Sequence, residues 1–132
     1  MAYRIKRIDP FWHKNPAVPA VAAVAAVVAL AAAQSGRGAV AAAAGLAFGA
    51  AVFLATKPAL SGVFAVFGLL AGVVTFLAGP SAGLTPAMRA LATAAFSLFY
   101  MVLMDGVVLA VAAIYNQFTR AGLRGLSLRL EE

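Results

Sequence analysis

One carboxylate, Asp105, interrupts the apolar run Leu91–Tyr115 (LATAAFSLFYMVLMDGVVLAVAAIY), 25 residues with no other charge. As a helix rising about 1.5 Å per residue, such a run crosses the roughly 30 Å hydrocarbon layer with length left for tilt. A carboxyl group inside that layer costs about 2.5–3.5 kcal/mol to insert, so it faces a partner, a cavity or a pathway. Two chemistries follow. The group relays protons or cations, or it hydrogen-bonds and fixes a helix contact. At 100° per residue Asp105 shares a stripe with Met101, Leu109, Ala112, Asn116 and, roughly, Thr119. The stripe turns polar toward one end. For Asn116, Gln117 and Thr119 that polarity reads as the helix leaving the bilayer rather than as a path. Elsewhere in the apolar runs the third has only Ser61 and Thr75, near its opposite ends, and the first two have no polar side chain at mid-depth. The partner of Asp105 is therefore expected outside this chain.

Little else could do chemistry. His13 is the only histidine and there are no cysteines, so neither a histidine-held haem or zinc nor a thiolate site is available from this chain. Ser61, Ser97 and Ser127 have no base beside them in an apolar run, and the only paired carboxylates are Glu131 and Glu132. No phosphate loop or dinucleotide fingerprint occurs. The expectation is a protein that is not an enzyme, with no cofactor, metal or catalytic residue.

Composition gives the reason. Hydrophobic residues are 64% of the 132 and charged ones 11%, with a mean hydropathy of +0.99, whereas soluble domains carry about 25% charged residues. An integral membrane protein is expected, all-α, with one compact bundle. A net charge of +6 beside apolar runs points to anionic lipid headgroups rather than nucleic acid, because the basic tail has neither stacking aromatics nor a recognised motif.

In chain order, residues 1–16 form a basic, aromatic interfacial segment. Arg4, Lys6, Arg7 and Lys14 face one acid, Asp9, and Trp12 suits the headgroup level. Residues 17–34 are apolar and weakly hydrophobic; after a basic stretch they imitate a secretory signal, but 17 apolar residues from Ala17 to Ala33 exceed the usual signal core and read as helix 1. QSGRG makes a turn, helix 2 covers 39–56, and Lys57-Pro58 reads as a tight hairpin before helix 3 at 59–79. Thr85 is an N-cap and Pro86 an opening residue for helix 4 at 87–116. Residues 117–132 are a basic juxtamembrane tail that could lie in the interface as a short amphipathic helix.

Four spans put both ends on one side together with Arg4, Lys6, Arg7, Lys14, Lys57, Arg120, Arg124 and Arg129, leaving Arg37 and Arg89 opposite. Eight against two predicts cytoplasmic termini; three spans, the alternative, would split the basic ends. The expected location is a bacterial or archaeal cytoplasmic membrane. Gly45 and Gly49 on helix 2, and Gly68 and Gly72 on helix 3, have the small-xxx-small spacing that lets backbones approach closely, and Gly79 extends the second face. These faces are expected to join helices 2 and 3, leaving Phe48, Phe53, Phe64, Phe67, Leu70 and Phe76 for lipid or another protein.

Two functions fit. The first is a non-catalytic subunit of a larger membrane complex, packed on partner helices through small-residue faces and Asp105. The alternative is a self-assembling channel, holin-like pore or small transporter in which Asp105 lines a proton or ion path.

Overall fold

Alanine and valine without a polar side chain carry helix α1 from Ala17 to Gln34 in a computed structural model that describes residues 2–12, 15–80, 83–123, 125 and 127–129. Gly36, at φ 73°, lets the chain reverse into α2, Gly38–Ala55, a conformation that glycine adopts without a Cβ clash. Helix α3 starts at Pro58, where the missing N–H has no partner to lose. It runs to Gly72 and continues as a π-helical turn, Val73–Leu77. Helix α4, Pro86–Arg120, opens with Thr85 Oγ1 accepting from the Met88 N–H at 3.2 Å, the cap that the sequence predicts. All four helices are long and apolar enough to cross a membrane.

The helices associate as two hairpins, α1 with α2 and α3 with α4, bridged by a thin α2–α4 contact. The expected packing of the second helix on the third does not occur. Thr56 and Lys57 are both extended (ψ 142° and 130°) rather than tightly turned, and the backbone groups of Ala55 and Lys57 bond to the N-terminal segment. The Lys57 N–H donates to Pro10 O (2.9 Å), and the Trp12 N–H donates to Ala55 O (2.7 Å). The glycine spacing is correspondingly redistributed. Gly68 and Gly72 face α4, Gly49 meets Val102 of α4, and nothing lies within 4 Å of a Cβ built on Gly45. Gly79 falls in the bend after the π turn, against the carbonyls of Val74 and Thr75, and extends no helix face.

Small residues make the first hairpin, with Ala22, Ala51 and Val52 as its core; Phe48, Val102 and Leu109 pack against them. Phe48 is thus not left for lipid, and Phe76 meets Phe96 edge-on at 6.0 Å. Phe53, Phe67 and Leu70 are exposed as expected.

Helix α4 has 35 residues against 18 to 20 in the other spans, an excess of about 22–26 Å at 1.5 Å per residue. The excess falls at its C-terminal end. Helix α3 lies along α4 with Gly72 at Thr93, Gly68 at Ser97 and Ser61 at Asp105, so α4 beyond about Leu109 rises past the start of α3. Residues 2–12 lie against this projecting end. Strand β1, Ala2–Arg4, pairs antiparallel with β2, Ser127–Arg129, in the register Ala2↔Arg129 and Arg4↔Ser127. The tail residues 127–129 are thus strand rather than amphipathic helix.

Candidate functional site

Asp105 is reached through the α3–α4 seam. On α4 Thr93, Ser97, Met101 and Asp105 recur every four residues and so share one face; on α3 Ser61, Ala65, Gly68 and Gly72, spaced by four, three and four residues, also share one. With no Cβ on Gly68 and Gly72 the backbones close up. A Cβ on Gly68 would stand 2.9 Å from Tyr100 Cβ and 3.0 Å from Ser97 Cα, and one on Gly72 3.0 Å from Thr93 O. The close approach brings hydroxyls into range. Ser97 Oγ donates to Ala65 O at 2.7 Å, and Thr93 Oγ1, which donates to Arg89 O of its own helix at 2.9 Å, also reaches Gly72 O at 3.4 Å. At the end of the row Ser61 Oγ donates to Asp105 Oδ2 at 2.7 Å.

The partner of Asp105 is therefore within the chain, contrary to the sequence expectation. Asp105 is 0% and Ser61 2% exposed, and Oδ1 of Asp105 has no hydrogen-bond partner among the described residues. The acid also sits nearer one end of the bundle than its place in the apolar run implies. Ser61 is four residues after Lys57, about 6 Å along the helix. The interior stripe of α4 is as expected at Met101, Asp105 and Ala112, all buried. Thr93 and Ser97 were legible only as the upstream continuation of that spacing.

The second constellation is one that reasoning from the sequence discounted. Asn116 forms a two-way amide bridge to the N-terminal strap, residues 2–12: Ile8 N–H donates to its Oδ1, and its Nδ2 donates to Ile8 O, both at 2.8 Å. Tyr115 OH donates to Ile5 O (2.7 Å) and Thr119 Oγ1 to Lys6 O (2.9 Å). Residues 115, 116 and 119 share a face. They hold a peptide about 110 residues away in sequence. Gly125 completes the clamp. Its added Cβ would run into Ile5 O and lie 2.7 Å from Tyr115 OH, so only hydrogen fits there. Gly125→Ala is expected to loosen the strap while leaving the four spans intact. Faster exchange of the Ile8 amide, with unchanged helical circular dichroism, would show it; unchanged protection of that amide would refute the clamp.

The strap and the α4 end gather Arg4, Lys6, Arg7, Lys57 and Arg120 at one end of the bundle, with Arg37 and Arg89 toward the other. Arg7 pairs loosely with Asp9 at 3.9 Å, both side chains about half exposed, so the pair contributes little. Trp12 is exposed at the same end. Lys14 and Arg124, expected to join this interface, lie outside the described residues, as does His13. No known family model, curated protein or solved structure matches the chain, and its function is read from its own residues.

Proposed function

We propose that this protein is a non-catalytic integral-membrane subunit of a larger complex, held in a prokaryotic cytoplasmic membrane with the strap end cytoplasmic. Its partners are other membrane subunits and anionic lipid. The observation that carries this reading is the incomplete bundle. The two hairpins touch only through a thin α2–α4 contact and leave between α1, α2 and α4 an apolar cleft of about 540 Å³, lined by Phe11, Pro19, Phe48, Val52, Gly106 and Ala110 among others. A partner helix filling such a cleft gains van der Waals contact that lipid tails supply less well. The basic strap end supports a cytoplasmic orientation. The alternative, a homo-oligomeric channel or transporter, is favoured by one observation, the unused oxygen of a buried Asp105.

Purification from native membranes in mild detergent, followed by mass spectrometry, separates the two. A fixed set of other polypeptides in constant ratio is the expected result, and a homo-oligomer alone would reject the subunit reading. The orientation has its own check: Ser35→Cys should react with an impermeant thiol reagent from outside and Arg7→Cys only from inside.

A further inference from the structure

Three cationic residues line one pocket where the strap meets the end of α4. Arg4, Lys6 and Arg120 line a concave pocket of about 320 Å³, walled also by Ile5, Thr119 and Leu123. No carboxylate lines it among the described residues; of the two described acids, Asp105 is buried in the α3–α4 seam and Asp9 sits by Arg7. Helix α4 ends at this pocket, and the negative end of a helix dipole would by itself favour the cations. The carbonyls that produce that end are already used, however. Gln117 O accepts from the Ala121 N–H (3.0 Å), Phe118 O from Leu123 (3.2 Å) and Thr119 O from Gly122 (3.3 Å), with Gly122 at φ 87° closing the cap.

Tertiary contacts hold these like charges together. Thr119 ties down Lys6 through its carbonyl, Tyr115 ties down Ile5, and the β1–β2 pairing fixes Arg4 opposite Ser127. Confining three cations in one pocket is unfavourable unless an anion lies between them. A phosphate matches the set, because guanidinium groups bind its oxygens in pairs and an ammonium adds a point charge. The walls are not wholly polar. Ile5 and Leu123 supply an apolar side, and Leu123 is exposed, which suits a phosphate attached to an apolar body.

We propose that the pocket formed by Arg4, Lys6 and Arg120 is a discrete binding site for a phosphate group, supplied by the headgroup of an anionic phospholipid. The lipid source rests on the membrane reading above; the phosphate chemistry does not. The site goes beyond a diffuse basic surface because it exists only when the strap is clamped.

The test takes the full-length protein in neutral detergent micelles containing phosphatidylglycerol and phosphatidylcholine, and counts retained lipid by native mass spectrometry. One phosphatidylglycerol per chain, kept in preference to phosphatidylcholine, is expected. Lys6→Gln or Arg120→Gln should weaken retention about fivefold each, the effect of one cation near a charged surface. Gly125→Ala should weaken it as well, although it removes no charge, whereas Arg37→Gln at the opposite end should change nothing. Inorganic phosphate serves as the competitor. Failure to displace the lipid identifies the headgroup as the ligand, and displacement together with Arg120-dependent phosphate binding by calorimetry identifies free phosphate on the same site. Equal retention of the two lipids with no phosphate binding overturns the proposal, as does retention that is indifferent to Lys6→Gln and Arg120→Gln. Extraction of the protein from vesicles by alkaline carbonate would instead reject the membrane reading and leave the phosphate arm standing.

Discussion

Gly68→Leu is expected to part α3 from α4. The new side chain would start 3.0 Å from the Ser97 backbone, and backbone cannot rotate away as a flexible side chain can. Relief requires the helices to separate, which also breaks the Ser97–Ala65 hydrogen bond and pulls Ser61 from Asp105. Overpacking alone costs about 1–3 kcal/mol, and the lost hydrogen bonds place Gly68→Leu at or above the top of that range. Gly72→Leu meets Thr93 in the same way and should behave similarly. Gly45→Leu is the control, since nothing lies within 4 Å of its Cβ position; it should leave the isolated chain as stable as wild type. Unfolding in mixed micelles of increasing dodecyl sulfate content measures all three. Equal midpoints for Gly68→Leu and Gly45→Leu would show that the α3–α4 seam is not packed as described. A Gly45→Leu protein of normal stability that no longer co-purifies with its partners would place a subunit contact on that open face.

Asp105→Leu carries the second large effect. It removes the carboxylate that accepts from the Ser61 hydroxyl and puts a branched apolar side chain in its place at a site with no exposed surface. Asp105→Asn keeps the shape and can still accept from Ser61, so it should retain most of the stability. A buried hydroxyl left without a partner costs about 1–3 kcal/mol, although hydrogen bonds between membrane helices average only about 0.6 kcal/mol in double-mutant cycles. The expected coupling between Ser61→Ala and Asp105→Leu lies between these values, and additive single effects would mean that the two side chains do not interact. Flux in proteoliposomes made from the same variants decides the functional reading. An acid that only fixes the seam predicts no flux in wild type and weakened α3–α4 association in Leu. An acid that carries protons predicts flux in wild type that Asn abolishes with the bundle intact, because an amide does not take up and release a proton near neutral pH.

Local chemistry in the sequence determined the helical class, the four apolar helices, the turn at Gly36 and the helix starts at Pro58 and Pro86, because hydropathy, proline geometry and a threonine cap act over a few residues. It also placed Met101, Asp105 and Ala112 on one buried face of α4, since that depends only on the helical period. Which helix meets that face was decided by the tertiary structure. Small-xxx-small spacing gives a helix a surface that permits close approach but does not choose its neighbour, so the glycines of α3 could as well have faced α2. The choice fell to α4 because Thr56 and Lys57 extend while Ala55 and Lys57 bond to residues 10–12 of the strap, which removes the short turn that an α2–α3 pair would need. The register of α3 on α4 then set the rest: it put Ser61 at Asp105 and left the last turns of α4 projecting, where Tyr115, Asn116 and Thr119 could clamp a segment some 110 residues earlier in the chain. No periodicity within a single helix encodes the sliding position of one helix along another, and the acid's partner and the cationic pocket both depend on it.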